Sequence, residues 1–331
     1  MKNQIISLSK PPRITSCYSV VGSLEKEGPL GDLFNEFSSN NKFGKKTWEK
    51  AESEMQLRAI NGAIRKSEIP VDNIDLILGG DLLNQCVGSN YAVSNIDIPF
   101  LGLYGACSTC AEGLALGSCL YSGGFASACG VVTSSHYCSS ERQFRFPLEY
   151  GGQRPPTAQW TTTGSGAFVL SDTGKVKITE VMFGKVIDKG ITDINNMGAA
   201  MAPAVIDILT RYFNESCCSP QDFDLIITGD LGYEGSEILK DLLLGEGIDI
   251  RQNHMDCGLE IFDRQAQDTH AGGSGCGCSA VVMASNIVPK MESKIYKNVL
   301  FLGTGALMSP VTLFQGGSIP AICHLVHLMG E

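Results

Sequence analysis

The sequence predicts an α/β protein made of two similar halves, and three pairs of matching segments carry that prediction. Val71-Asp-Asn-Ile-Asp-Leu-Ile-Leu-Gly-Gly-Asp-Leu82 matches Pro220-Gln-Asp-Phe-Asp-Leu-Ile-Ile-Thr-Gly-Asp-Leu231, so that Asp75 falls on Asp224. The stretch from Gly105 to Ser118 matches that from Gly273 to Ser285, with Cys107 on Cys276. The stretch from Gly130 to Ser135 matches that from Val299 to Thr304. All three pairs keep the same order, as a duplication requires.

Each pair has a physical reading. The first is a turn followed by a short apolar run bounded by glycine, the pattern of a buried parallel strand. The second is a small-residue turn opening an apolar, alanine-rich helix, and the third is the strand after it. Each half is thus a strand–helix–strand unit feeding a parallel sheet with helices on both faces. Gly164-Ser-Gly-Ala-Phe-Val-Leu170 closes the first half as a further strand, and the second opens at Lys175-Val-Lys-Ile-Thr-Glu-Val. The expected division is residues 1–174, carrying Cys107, and 175–331, carrying His270. No Pro/Ser-rich linker separates them, so they are expected to pack as one body.

Composition narrows the function. The chain has 331 residues, 43% of them hydrophobic and 18% charged, with 38 glycines, which suits a compact core and not a disordered chain. A net charge of −10 argues against a nucleic-acid surface, which draws on clustered Lys and Arg. No run approaches the ~20 apolar residues that span a bilayer. The opening Met1-Lys-Asn-Gln-Ile-Ile-Ser-Leu is too short and too polar for a signal peptide. A cytosolic or peripherally attached protein is expected, with its thirteen cysteines reduced.

Cys107 is the first candidate site residue. It follows the apolar run Phe100-Leu-Gly-Leu-Tyr104 and a Gly-Ala turn, where a helix starts. A helix N-terminus favours a thiolate, which lowers a thiol pKa and makes it nucleophilic. The other reading is a small buried thiol like its neighbours. Cys107 and Cys110 with Cys276 and Cys278 suggest a four-thiolate metal site, but Cys276-Gly-Cys278 lacks the spacer of zinc knuckles. No metal is expected.

His270, in the loop Asp268-Thr-His-Ala-Gly-Gly-Ser-Gly-Cys276, and His136, at the end of Thr133-Ser-Ser-His136, are further candidates. Glycines let a backbone approach a ligand closely, and α/β sheets place sites at strand ends. His254, His324 and His327 have no such context and read as structural. Arg142, Arg145 and Arg154 flank a loop rich in aromatics and glycine. They could bind a carboxylate bidentately, but dimer contact is the default reading.

A duplicated half with Cys at the head of its central helix, then His-x-x-Gly followed by small residues in the second copy, resembles the thiolase superfamily. Gly303-Thr-Gly-Ala306 fits the Gly-rich final turn of that fold. Several longer stretches resemble the stage V sporulation protein AD family of spore-forming bacteria. They include Glu27-Gly-Pro-Leu-Gly-Asp32, Phe100 to Thr109, Pro155-Pro-Thr-Ala-Gln-Trp-Thr161, Asn196 to Pro203 and His270 to Ala280. The likeness runs from about residue 11 to about residue 328.

The resemblance implies a thiolase-like, five-layer αβαβα fold of two pseudo-symmetric halves, a homodimer, and no cofactor. It also implies a role in sporulation. With membrane partners encoded beside it, such a protein supports uptake of dipicolinic acid, as its calcium chelate, into the developing spore. A place at the spore inner membrane comes with that role. The ketoacyl synthase III-like branch of the fold has a His after the first strand of the second half, whereas Ile227-Thr-Gly-Asp-Leu-Gly232 has none. A degenerate catalytic site reused for binding is therefore expected, with Cys107, Ser134, His136 and His270 around the ligand. The competing expectations are an acyltransferase with Cys107 as nucleophile and His270 as base, and a scaffold with a vestigial pocket.

Overall fold

The computed structural model describes residues 4–144 and 153–331. The first half supplies β1 (Arg13–Val21), β2 (Leu76–Gly80), β3 (Phe100–Gly102), β4 (Cys129–Ser135) and β5 (Gly164–Ser171). The second supplies β6 (Val176–Met182), β7 (Leu225–Thr228), β8 (His254–Asp256), β9 (Asn298–Ala306) and β10 (Ala321–Gly330). The strand order is β3-β2-β4-β5-β1 in the first set and β8-β7-β9-β10-β6 in the second, the same order position for position. The sets join where Arg13 and Ile14 of β1 pair with Lys177 and Val176 of β6.

The helices repeat in the same way. They are α1 (Trp48–Ser67), α2 (Val87–Val93), α3 (Thr109–Ser122), α4 (Tyr137–Phe144), α5 (Met197–Glu215), α6 (Gly232–Gly245) and α7 (Cys276–Val282). Thr47 and Asn196 cap the corresponding helices α1 and α5, accepting from the backbone N–H of Lys50 and Ala199. Even the joints recur. The Asp75 carboxylate accepts from the N–H groups of Ser127 and Ala128 just before β4, and Asp224 accepts from Lys297 and Asn298 at the start of β9.

Side-chain alternation along the strands builds the layers. On β5, Phe168 and Leu170 enter the central core while Ala167 and Val169 enter an outer one. On β9, Val299 and Phe301 point to the centre, and Leu300 and Leu302 to the other outer core. The central core holds α3, through Cys110, Ala111 and Leu114, and α7, through Cys278, Val281 and Val282. Helix α1 covers one outer face with Met55, Ala59 and Ile60, and α5 covers the other with Met201, Val205, Leu209 and Tyr212. Helix, sheet, helix pair, sheet, helix: this is the thiolase-like five-layer arrangement.

Two expectations change. The sheets are mixed, because β5 runs antiparallel to β4 and β1, and β10 antiparallel to β9 and β6. Antiparallel neighbours need no helical crossover, so each half closes on a returning strand. Gly303 to Ala306 is the end of β9 and not a turn. Its glycines admit a close approach, since a Cβ on Gly303 would lie 2.4 Å from the Cβ of Ala111, and one on Gly305 2.6 Å from the Gly105 carbonyl. Strand β9 therefore presses directly on the turn that carries Cys107. Among the described residues, no helix is long and apolar enough to cross a membrane.

Candidate functional site

Strand β3 hands over to α3 through a 3-10 turn, Ala106–Ser108. Ala106 takes φ 52°, a left-handed conformation that costs an L-residue about 1–2 kcal/mol. The bend sets Cys107 at the head of α3 on the wall of a cavity of about 390 Å³. Leu82, Phe144, Ile194, Met197 and Met308 give this cavity apolar walls, while Asn84, Ser140, Thr161 and Ser274 supply polar groups. Among the described lining residues Glu141 is the charged one, and none is Lys, Arg or His.

Behind Cys107 stands Asp230, at the end of the segment that repeats Gly80-Asp81-Leu82. Its carboxylate accepts from Thr304 Oγ1 at 2.6 Å, Ser274 Oγ at 2.9 Å and the Gly275 N–H at 2.8 Å. The Cys107 thiol lies 4.0 Å from Ser274 Oγ, which links it to that carboxylate. Gln159 holds the Asp230 carbonyl through a 2.7 Å bond from Nε2. Burial raises the Asp230 carboxyl to about 6, against these donors, so it is chiefly ionised at neutral pH.

The consequence for Cys107 reverses the sequence expectation. Burial first, and then the Asp230 charge, push the thiol well above its usual range. A helix end contributes about half a positive charge, and a buried full negative charge beside the sulfur outweighs it. Cys107 is held as a thiol, linked through Ser274 to a buried carboxylate.

The other sequence candidates lie elsewhere. Ser134 is fully buried and donates to Glu52 Oε1 at 3.1 Å. His136 is fully buried as well, with Nε2 2.7 Å from the Asn41 carbonyl and its ring tilted against Trp48. Neither faces the cavity, because successive residues at the end of β4 turn into the packed layers. His270 occupies a left-handed position at φ 51°, its carbonyl accepting from Arg264 Nε at 2.6 Å and its imidazole 3.7 Å from Asp268. It does not line the cavity either. The glycines of its loop admit chain to chain: a Cβ on Gly277 would lie 2.2 Å from the Gly164 carbonyl. Four site residues gathered from sequence thus reduce to Cys107 at the cavity, joined by Ser274 and backed by Asp230.

Arg142 pairs with Glu49, and Arg154 lies over the Trp160 ring at 4.8 Å. Arg145 falls outside the described residues. His254 and His327 are built into strands β8 and β10, bonded to Thr228 and Asn298 respectively, and His324 sits on β10 against Phe183. Cys107 and Cys276 share a small apolar cluster with Leu82, and Cys110 and Cys278 belong to the central core. Among the described residues, no group of three or more His, Cys, Asp or Glu is placed to hold a metal.

Comparison with known proteins fits this geometry. Among solved structures, a variant of OleA from Xanthomonas campestris superposes with a TM-score of 0.62 at 11% identity, covering 98% of this chain and 100% of that one. AbyA1, a tetronic acid condensing enzyme, gives 0.60 at 13% over 96% and 100%. The priming β-ketosynthase of the R1128 polyketide pathway gives 0.56 at 14% over 97% of each. At such identities they establish the fold alone. The stage V sporulation protein AD of Bacillus subtilis (strain 168) is 46% identical over 315 residues, 95% of this chain and 93% of that protein. A family model described as Stage V sporulation protein AD matches residues 2–329, and the chain belongs to that family.

Proposed function

We propose that this chain binds dipicolinic acid, free or as its calcium chelate, in the Cys107 cavity without turning it over, and so supports uptake into the developing spore. Membership of a sporulation family supports the setting. The observation that carries the reading is the carboxylate of Asp230 facing Cys107. Acyl transfer needs a thiolate, and a base or oxyanion donor beside it. A thiol kept protonated by burial and by a neighbouring carboxylate is a poor nucleophile.

The cavity suits a small flat ring. Its volume falls within the usual range for small-molecule sites, roughly 300–1,000 Å³, and its apolar walls carry a few hydroxyls and amides. The chelate, whose carboxylates already face a cation, matches walls in which Glu141 is the charged residue among those described. Membrane partners would receive the ligand, and two copies would pair along β3. The outer edge of that strand exposes Leu101 (46%) and, just beyond it, Tyr104 (54%).

Calorimetric titration of the wild type with dipicolinate, with and without calcium, tests the reading. Saturable heat that Cys107→Ala weakens, with no response to acetyl-CoA, is the expected result. Absence of dipicolinate heat in both conditions would remove it. An acyltransferase reading has one observation in its favour, the placement of Cys107 at a helix head on a cavity wall. It requires acyl groups to reach the sulfur.

A further inference from the structure

Far from the cavity, the chain carries a second reactive feature, Cys217-Cys218. Nine of the thirteen cysteines are buried and two are half-buried; Cys217 and Cys218 are the exposed pair. They are neighbours in sequence, in the short link between α5 and the 3-10 turn Pro220–Asp222.

Both ends of this link are tied. The Ser216 N–H donates to the Tyr212 carbonyl at 2.8 Å, closing the last turn of α5. On the other side, the Ser219 N–H and hydroxyl both donate to Asp222 Oδ2, at 2.7 and 3.0 Å. The Cys218 N–H also meets Ser216 Oγ at 3.4 Å. Two exposed thiols therefore stand side by side in a segment anchored at both ends.

We infer that Cys217-Cys218 is a thiol-exchange site for low-molecular-weight disulfides, with Cys217 attacking and Cys218 resolving. In the first step Cys217 gives its proton to solvent, its sulfur bonds to one sulfur of the small disulfide, the S–S bond breaks, and the other sulfur leaves as a thiolate. In the second, Cys218 attacks the Cys217 sulfur, its proton passes to solvent, and the small thiol departs. The pair loses two electrons and two protons, and the small disulfide gains them. An exposed thiol beside a resolving partner is the arrangement that makes oxidation reversible. Partial burial and then Asp222 and Glu180 raise the Cys218 pKa, so it offers less thiolate for the first attack and is left to the resolving step, where its neighbour holds the mixed disulfide.

The site is independent of the cavity. Met197, at the first turn of α5, lines the cavity, and the cysteines follow the last turn of the same helix. The helix of nineteen residues that begins at Met197 spans roughly 28 Å.

Native protein treated with 5,5′-dithiobis(2-nitrobenzoate) tests the inference. The wild type is expected to release two equivalents of thionitrobenzoate per chain in a fast phase, to retain no aryl group, and to lose two hydrogens by intact mass. Cys218→Ser should release one equivalent and keep the aryl adduct on Cys217; Cys217→Ser should lose most of the fast phase. Native alkylation with iodoacetamide and peptide mapping locates the reactive thiols without any substitution. A fast phase that persists in the double Cys217→Ser/Cys218→Ser chain, or mapping that finds other cysteines alkylated first, overturns the proposal. Retention of aryl groups on the wild type overturns the resolving step.

Discussion

Cys107 and Cys276 open corresponding helices of the two halves, α3 and α7, yet Cys107 faces a cavity and Cys276 does not. The turn before Cys107 bends at Ala106, leaving open space in front of the sulfur. The turn before Cys276 bends at Gly275 (φ 106°), where a Cβ would lie 2.5 Å from Ser135 Oγ, so that turn is pressed onto β4. Cys276 is fully buried and donates to the Ser134 carbonyl at 3.0 Å. Their carboxylates differ too. Asp81 is bonded within its own half, to the Leu83 N–H and to the N–H and hydroxyl of Ser89. Asp230 is linked through Ser274 toward the sulfur of the other half. A duplicated scaffold yields one site because the contact between halves is unequal.

The largest expected effect comes from breaking the internal member of that comparison. Asp81→Ala strands the Leu83 and Ser89 donors in the core, at a cost of roughly 2–4 kcal/mol. Urea unfolding should show it, while the reactivity of Cys107 in the folded fraction stays at the wild-type value. A cost below 0.5 kcal/mol, judged roughly as surface-like, would mean Asp81 is not buried as described.

The second effect is on pH. Glu25 and Asp256 are each raised by burial to about 7, and burial also raises Glu52. The fold keeps protons that the unfolded chain releases near pH 4. Their contribution is complete below that pH and is lost as pH rises through about 7. Where a group is protonated in the fold and ionised in the unfolded chain, the loss is about 1.4 kcal/mol per pH unit. Urea midpoints should therefore fall between pH 5.5 and 8, and Glu25→Gln should flatten the slope. A midpoint that rises across this range contradicts the assignment.

Asp230→Asn sharpens the comparison from the other side. Removing the charge lowers the Cys107 pKa, which enlarges the thiolate fraction about tenfold for every pH unit by which the pKa falls. Alkylation of Cys107 by iodoacetamide should accelerate accordingly. Unchanged kinetics would show that Asp230 does not hold the thiol. The smallest effect on the site belongs to His270→Ala: its side chain is off the cavity, so dipicolinate binding should not change, while loss of a mostly buried imidazole should cost about 1 kcal/mol of stability. A lost titration would return His270 to the site.

The layered fold is legible in the sequence because burial on alternating faces, repeated at matched segments, leaves a pattern that residue identity alone carries. The returning strands β5 and β10 are legible as strands, but their direction depends on tertiary pairing that local sequence does not encode. Cys107 is marked by its place after a strand and a small-residue turn. Ser134 and His136 mislead because the end of a buried strand looks alike whether it meets a cavity or a packed layer. Asp230 stands in a repeated segment, where its likeness to Asp81 hides its different partner. The signal that points to it is an acid at the strand end where the ketoacyl synthase III-like branch carries a His.

The most direct test of the central claim is whether Cys107 ever becomes acylated. Wild-type protein and Asp230→Asn are incubated with acetyl-CoA, and intact mass with peptide mapping follows the Cys107 thioester. The account predicts no acetyl adduct on the wild type over many hours at neutral pH, alongside saturable dipicolinate binding by the same preparation. A wild-type thioester on Cys107 that forms and turns over would contradict it, and would make the cavity a working active site.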